Sequence, residues 1–220
     1  MLKDPTGQMW IDLDDDYGLF KDGRVALLRG MTGDPFDRLI VMDDNGRETS
    51  KEMKVFDRTI LPELAKERKG WGKTRYAVSD SPETGDVFLF TSQHSDVEWG
   101  LTGFRNKGKN EYYVYTDRDP EKVYQAELWG INRDKEFIFG IHSHPGGNEF
   151  RKASGYNDGI RYSTDMSSIS LLYARMGKVP EKYIYHPSST SLINYDPWNP
   201  QKKITPNVTY PGGLLFLYKK

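Results

Sequence analysis

The chain has 220 residues, the size of one domain with an appendage or of two small domains. Hydrophobic residues make up 36% of it and aromatic residues 13%, which supplies enough large apolar side chains for a core and excludes disorder throughout. The 31 basic and 32 acidic side chains nearly cancel, and a net charge of -1 lacks the positive field that binding to DNA or RNA needs.

Cysteine content and hydropathy limit the chemistry further. The chain contains no cysteine, so disulfides and thiolate zinc sites are excluded, and any metal must be bound by histidine and carboxylate side chains. No stretch of 18 apolar residues occurs, and the first residues lack the basic and apolar regions of a secretory signal peptide. We therefore expect no membrane span, and synthesis in the cytoplasm without a signal peptide.

Residues 1–50 are predicted to form short β-hairpins, with a Lys-Asp-Gly turn at 21–23 and an Asp-Asn-Gly turn at 44–46. Each hairpin has few apolar residues and cannot bury much surface alone. We therefore expect the hairpins to pack on the rest of the chain or on a larger parent protein.

Residues 51–68 predict a short or kinked helix. The residues at helical spacing are Phe56, Ile60, Leu61 and Leu64, and Pro62 interrupts them. Residues 69–86 are rich in Gly, Ser, Pro and charge, which is typical of a linker that contains one strand. A domain boundary is expected there, dividing the chain into a hairpin segment with its linker, 1–80, and a second domain, 81–220.

Strands dominate the second half of the sequence. Strands are predicted at 87–92, 111–117, 122–131, 136–144, 182–187, 191–196 and 212–220. The run 136–144 is almost continuously apolar and fits a buried central strand. The clearest helix is 165–177, which begins at Asp165, stops at Gly177 and is expected to pack on a sheet through Ile169, Leu172 and Met176.

The most specific chemical feature is a pair of histidines at the end of the predicted central strand. His142 and His144 are alternate residues, so they project from one face of the strand and can both reach one cation at about 2.0–2.1 Å. Pro145 and the two glycines after it end the strand. The alternative interpretation is a polar strand end with two exposed histidines.

A catalytic zinc site needs a third protein ligand and an open position. Asp165 is the natural candidate, because a carboxylate at the head of a helix is held rigidly and interacts favourably with the helix dipole. The same residue is equally well explained as a helix N-cap, and the two roles are compatible. Asp158, in the preceding loop, is the competing ligand.

These residues resemble the JAB/MPN (JAMM) metalloprotease signature, in which His-x-His-Pro on a strand is followed by a loop and an Asp that opens a helix. The resemblance covers roughly residues 87–200. It implies a cytidine-deaminase-like α/β (α+β) fold with a curved, mostly antiparallel sheet and flanking helices. It also implies a Zn²⁺ cofactor held by His142, His144 and Asp165, and cleavage of peptide or isopeptide bonds in a protein substrate.

The same resemblance implies two further catalytic residues. The family has a glutamate upstream that acts as general base, and the segment Glu98-Trp99-Gly100 assigns that role to Glu98, with a spacing to glycine one residue shorter than usual. The family's serine stabilises the oxyanion from three residues before the aspartate, where this chain has Tyr162, so the role falls to Ser163.

A third departure is an inserted loop. The interval from His144 to Asp165 holds 20 residues, 145–164, about twice the number common in the family. Altered substrate access follows from such an insertion, and a catalytically silent MPN-type binding module is the alternative to an enzyme. A nuclease that uses His142 and His144 is disfavoured by the charge balance.

The whole chain has a narrower resemblance, to the JAB-like toxin domains at the C-terminal ends of Rhs-type polymorphic toxins of Bacteroidetes. It rests on the segments DYGLFKDGRVALLRG, FDRLIVMDDNGRETS, VEWGLTGF and FIFGIHSHPGG. It implies that residues 1–80 are a pre-toxin segment, that the domain is delivered into a competitor cell, including by type VI secretion, and that a cognate immunity protein exists.

The remaining histidines and two tryptophans are assigned structural roles. Trp99 and Trp129 are expected to anchor the core rather than to bind substrate. His186 ends a predicted strand and is expected to form local hydrogen bonds. His94 is interpreted as an exposed polar residue, with a supporting role near Glu98 as the alternative.

Overall fold

The computed structural model describes residues 15–30, 33–66, 74–123, 134–145, 165–196 and 198–218. Its strands form two sheets, and three helices accompany them, so the chain has the mixed α+β class that the sequence predicts. Within the described residues, no helix combines the length and the apolar character needed to cross a membrane.

The first sheet, called the N-terminal sheet, has four strands in the order β2-β1-β3-β4. They are β1 (Asp16–Leu19), β2 (Val25–Arg29), β3 (Asp37–Met42) and β4 (Glu48–Val55). β1 and β2 form one antiparallel hairpin and β3 and β4 another, as the two predicted turns require, while β1 and β3 pair in parallel. The segment MWIDLD, residues 9–14, belongs to the predicted hairpins and lies outside the described residues.

The second sheet, called the main sheet, has seven strands in the order β11-β10-β9-β8-β6-β7-β5. They are β5 (Arg75–Ser79), β6 (Trp99–Asn106), β7 (Lys109–Thr116), β8 (Glu136–Ser143), β9 (Glu181–His186), β10 (Ser191–Asp196) and β11 (Asn199–Thr205). β8 is the fourth of the seven and thus central, as predicted from its apolar sequence. Its pairing with β9 is parallel, and the other five pairings are antiparallel.

Two helices follow the N-terminal sheet along the chain, the first leading into the main sheet and the second joining two strands of that sheet. They are α1 (Ile60–Ala65) and α2 (Glu83–His94). α1 confirms a short helix within 51–68, although the first part of that range is β4 and Phe56 is 64% exposed rather than part of an apolar stripe. Pro62 is tolerated because it lies in the first turn, where backbone N–H groups have no partner within the helix.

Two of the strand predictions were wrong. Residues 87–92 belong to α2, and nearly every side chain of α2 after its first residue is buried, so the helix shows no polar face that would mark its period. Residues 212–220 do not form a closing strand, because Leu215–Leu217 is a turn of 3-10 helix. The edge strand β11 was not predicted, and the predicted strand at 122–131 falls almost entirely outside the described residues.

One continuous apolar cluster joins the two sheets and confirms that the N-terminal hairpins dock on the rest of the chain. Its members come from both sheets and from α1 and α2, and include Leu19, Leu39, Val55, Ile60, Leu61, Val87, Phe88, Trp99, Leu101, Phe139 and Ile141. The cluster is buried between elements that are far apart in sequence. The N-terminal sheet is therefore stabilised through a core that it shares with α1, α2 and the main sheet.

The helix predicted at 165–177 is α3 (Asp165–Met176), and Gly177 follows it. Ile169 packs with Ile184 and Ile193 of the main sheet, and Leu172 packs in a second cluster that Met176 covers. These contacts confirm the predicted packing of α3 on the sheet. They also fix the direction of the chain as it crosses from β8 to the parallel strand β9.

Candidate active site

The central strand β8 delivers both histidines of the predicted metal site. Alternation sends Phe139 and Ile141 into the main apolar cluster and His142 to the opposite face. His142 is 2% exposed and His144 is 7% exposed. Their Nε2 atoms lie 3.0 Å apart, so the two rings meet edge to edge beyond the end of the strand.

The distance between these two nitrogens restricts what they can do. Two neutral imidazole nitrogens this close either share one proton, with one ring donating its N–H to the other, or direct both lone pairs at a cation. Tetrahedral bonds of about 2.0–2.1 Å to zinc place two ligand nitrogens about 3.3 Å apart. The observed separation is close to that value, so the pair has the chemistry and spacing of two ligands to one metal.

Glu98 lies at the entrance to β6, the neighbour of β8. β6 and β8 are antiparallel with Gly100 opposite His142, so the start of one strand meets the end of the other. Glu98 is 6% exposed, and its Oε1 lies 3.7 Å from Nε2 of His144. A carboxylate is thereby held beside the histidine pair in a largely water-excluded position.

Three hydrogen bonds fix the backbone on either side of the Glu98 side chain. The Glu98 N–H donates to the Asp119 carbonyl at 2.9 Å, and the Thr116 hydroxyl donates to the Glu98 carbonyl at 2.8 Å. The backbone N–H of Trp99 donates to Oγ of Ser143 at 2.9 Å. Ser143 is the residue between the two histidines in the sequence. β8 therefore supplies the histidines and also a hydroxyl that holds the residue after the glutamate.

Trp99 anchors the start of β6 to the end of α2, in agreement with its predicted role as a core tryptophan. Its side chain is fully buried, and its Nε1–H donates to Oγ of Ser95 at 2.9 Å. The Ser95 hydroxyl in turn donates to the Thr91 carbonyl at 2.8 Å, within the last turn of the helix. Trp129, the other predicted anchor, lies outside the described residues.

Two buried tyrosines contact the histidines, Tyr195 through its ring and Tyr185 through its backbone carbonyl. The ring of Tyr195 meets that of His142 edge to face at a centroid distance of 6.4 Å, and the Tyr185 carbonyl accepts the His144 N–H at 2.9 Å. Burial raises the pKa of Tyr185 to about 12, and its hydroxyl donates to the Val208 carbonyl at 3.0 Å. Tyr185 is therefore neutral at physiological pH, and its ring lies in the apolar cluster on the sheet face opposite His142.

The predicted third ligand, Asp165, is the first residue of α3. One turn further on, Ile169 packs in the same cluster as Tyr195, whose ring contacts His142. The packing thus lays the first turns of α3 over the sheet face that carries His142. The structure describes only the backbone of Asp165.

The other predicted residues of the site fall on the connection between β8 and α3. Ser163 and Asp158 lie outside the described residues, as does most of the inserted loop. Among the side chains that are described, no group of three or more His, Asp and Glu is arranged to hold a metal ion. The described part of the candidate site therefore consists of the histidine pair and Glu98.

The two other histidines, His186 and His94, do not belong to the candidate site. His186 is fully buried, and its Nδ1 lies 3.0 Å from the Ser188 hydroxyl, which confirms the predicted local hydrogen bond. His94 is half-buried rather than exposed, because its ring packs edge-on against Phe90 at 4.7 Å between centroids. Burial lowers the pKa of His94, so it is predominantly neutral at physiological pH.

Sequence reasoning missed the residues that hold Glu98. Ser143 sits inside the His-Ser-His triplet, where a small hydroxyl residue was visible but had no assigned partner. Thr116 and Asp119 are about 20 residues from Glu98 and carry no local signal. Only the antiparallel pairing of β6 with β7 brings them to it.

Part of the chain matches a known protein family. Residues 76–170 match the family model for JAB-like toxin 1, a range that includes Glu98, both histidines and Asp165. No curated protein and no solved structure matches the chain significantly. The family match, on a stretch that runs from β5 into α3, identifies this part of the chain as a JAB-like toxin domain.

Proposed function

We propose that this toxin domain is a zinc-dependent hydrolase of peptide or isopeptide bonds. The observation that carries the proposal is the position of Glu98, whose carboxylate lies 3.7 Å from one of two buried histidines that face each other at 3.0 Å. Two imidazoles and an adjacent buried carboxylate are parts that metal-assisted hydrolysis uses, together with a third protein ligand.

The donor set fits zinc. His142 and His144 would supply two nitrogen ligands, and Asp165 at the start of α3 would supply an oxygen, with Asp158 as the alternative third ligand. The absence of cysteine leaves histidine and carboxylate as the available ligand types. A bound Zn²⁺ supplies polarisation of the scissile carbonyl and lowers the pKa of a water molecule toward about 7.

The residues of the chain itself supply proton transfer and positioning. Glu98 accepts the proton of the attacking water and returns it to the leaving amine, as a general base and then a general acid. Its backbone is held by hydrogen bonds on both sides, which restricts where the side chain starts relative to His144. Ser163 is the proposed donor of a hydrogen bond to the developing oxyanion.

The biological setting is proposed from the family resemblance. The domain acts as an antibacterial effector, made in the cytoplasm and delivered into a target cell as part of a larger Rhs-type or type VI-associated toxin. Its partners are a protein or peptide substrate and a cognate immunity protein that protects the producing cell. Residues 1–80 form the pre-toxin segment that precedes the enzymatic part.

A catalytically silent binding module is the second candidate. It is favoured by the placement of the serine, because Tyr162 occupies the position where the resembling metalloproteases have it. Such a module would keep the buried histidines as structural side chains. It would bind its partner equally well with Glu98 or with an amide at that position.

Cell growth separates the two candidates. Wild type and Glu98→Gln are expressed in susceptible bacteria without an immunity protein. An amide keeps the shape of the side chain and removes its basicity, so we expect turnover to fall by about 10²–10⁴-fold and growth arrest to disappear. Equal growth arrest by both proteins would remove Glu98 from the mechanism and favour the binding module.

Metal content tests the ligands separately from activity. We expect one zinc per chain in purified wild type by elemental mass spectrometry, and none in His142→Ala/His144→Ala. His94→Gln is the matched control, because it removes a histidine that lies outside the pair. Stoichiometric zinc in the double variant would contradict the ligand assignment.

A further inference from the structure

We infer that the turn at residues 21–23 in the N-terminal sheet is a positioning element for Glu98. The turn joins β1 to β2 and lies against the segment that leads into β6. The catalytic meaning of this inference rests on the proposed hydrolase function. The position of the Glu98 carboxylate can be measured whether or not the domain is a hydrolase.

The turn has a fixed shape of its own. The Gly23 N–H donates to the Phe20 carbonyl at 2.9 Å, and the Arg24 N–H donates to the Asp22 carboxylate at 3.0 Å. Gly23 has φ +74, in the left-handed region where residues with a side chain are strained. A turn held in this way can act as a rigid contact rather than as a flexible loop end.

Its first contact is with the residues immediately before Glu98. The Asp96 N–H donates to the Lys21 carbonyl at 2.8 Å. Gly23 approaches Val97 so closely that a Cβ placed on it would lie 2.5 Å from Cγ2 of the valine. Val97 is buried, so it cannot move aside into solvent.

Its second contact is with the residues that bind the Glu98 backbone. Arg118 donates from Nε to the Asp22 carbonyl at 3.2 Å, and its guanidinium pairs with the Asp22 carboxylate. The Arg118 N–H donates to the Thr116 hydroxyl at 2.9 Å, and that hydroxyl donates to the Glu98 carbonyl. The turn therefore reaches Glu98 from both sides, through Val97 and through the end of β7.

Small displacements here matter for chemistry. The Oε1 of Glu98 lies 3.7 Å from Nε2 of His144, and a shift of about 1 Å in a reacting group can cost about 10²-fold in rate. Residues 15–30 thus do more than precede the toxin domain along the chain. They complete the support of its proposed general base.

The chain offers a matched pair of substitutions for the test. Gly23 and Gly46 both sit in hairpin turns of the N-terminal sheet with φ of +74 and +71, but a Cβ on Gly46 would have no atom within 4 Å. Gly23→Ala and Gly46→Ala therefore impose the same backbone strain, and only the first pushes on Val97. Unfolding curves of the two full-length variants report the strain they share.

The readout is the side-chain NMR signal of His144, with equal metal content in every sample. We expect Gly23→Ala to move the His144 imidazole signals in the direction that Glu98→Gln moves them, and Gly46→Ala to leave them in place. Adding Val97→Ala to Gly23→Ala removes the clashing methyl and should restore the signals. Unchanged His144 signals in a folded Gly23→Ala protein would overturn the inference.

A second variant tests the inference if Gly23→Ala does not fold. Arg118→Asn removes the guanidinium while keeping a residue that tolerates the left-handed φ of +58 found there. We then expect faster hydrogen exchange of the Glu98 amide, which donates to Asp119, than in wild type. Unchanged exchange of that amide would overturn the inference as well.

The two proposals can fail separately. If the domain is a hydrolase, Gly23→Ala should also lose about tenfold to a hundredfold in activity, and Gly46→Ala should not. If the domain has no activity, the NMR and exchange measurements still decide whether the turn places Glu98. A His144 shift without any toxicity would support the positioning role and count against the hydrolase.

Discussion

The N-terminal sheet and the main sheet each bury a carboxylate, and they treat it in opposite ways. Asp16, in β1, is 0% exposed, and both of its oxygens accept hydrogen bonds from the guanidinium groups of Arg29 and Arg38 at 2.7–2.9 Å. Glu98, beside the main sheet, faces an imidazole at 3.7 Å. The first carboxylate is neutralised by permanent cations, whereas the second lies beside a group that can exchange protons.

This contrast distinguishes a carboxylate with structural partners from the one that we propose as the general base. A guanidinium is always protonated, so Asp16 lies between two permanent positive charges, and both of its oxygens are occupied as hydrogen-bond acceptors. An imidazole titrates near neutral pH and can bind a metal, so a carboxylate beside it can take part in proton transfer. Burial alone does not separate the two carboxylates, but the nature of the neighbouring cation does.

The largest expected effect on stability is at Asp16. Asp16→Asn leaves two guanidinium groups without their shared counter-ion, and we expect the free energy of unfolding to fall by about 2–3 kcal/mol, less than for a fully buried pair because both arginines are partly exposed. Urea denaturation measures it. Glu48→Gln is the control, since it removes an exposed partner of Arg29 and should cost less than about 1 kcal/mol.

Glu98→Gln should show the reverse pattern. We expect its free energy of unfolding to stay within about 1 kcal/mol of wild type, because no guanidinium is left uncompensated. Its toxicity should be lost, whereas the remaining folded fraction of Asp16→Asn should stay toxic. A loss of stability in Glu98→Gln as large as in Asp16→Asn would erase the distinction between the two carboxylates.

An intermediate effect is expected at Ser143. Ser143→Ala leaves the buried N–H of Trp99 without its acceptor, which should cost about 1–2 kcal/mol by urea denaturation. Ser143→Thr keeps the hydroxyl and should recover most of that loss. If alanine and threonine are equally stable, the hydroxyl does not hold β6 to β8.

The smallest effect concerns His94 and acid pH. Burial lowers the pKa of His94 below its ordinary value of 6.5, with Lys51 adding to the shift, so the unfolded chain binds a proton more readily than the folded one. Stability from this residue is therefore present above pH 6.5 and falls as the pH drops below it. His94→Gln should flatten the pH dependence of the unfolding free energy in that range, whereas an unchanged slope would assign the acid sensitivity elsewhere.

Sequence patterns predicted strands and turns well where Gly-containing turns or alternating residues mark a short strand. The alternation in β7 and the Gly-containing turns of both N-terminal hairpins gave clear signals. The helix α2 was missed because Phe88, Leu89 and Phe90 are all buried, and a helix surrounded by protein reads as a continuous apolar run. The strand β11 was missed because an exposed edge strand with two lysines has the composition of a loop.

In the candidate site, the proximity of the two histidines could be predicted from the sequence, because alternate residues of a strand lie on the same face in any fold. The approach of Glu98 to His144 came from family resemblance, because it depends on the register of β6 against β8. The support of Glu98 by Thr116 and by the turn at 21–23 depends on long-range pairing and had no signal in the sequence.

The parallel pairing of β8 with β9 has a consequence for how such domains diversify. A parallel pair requires a crossover, and here both ends of the crossover are fixed, by the β8–β9 ladder and by the packing of α3. The entropic cost of lengthening the chain between fixed ends grows only logarithmically with its length. The segment between His144 and Asp165 can therefore vary in length at little cost in stability while the sheet that holds the histidines stays as it is.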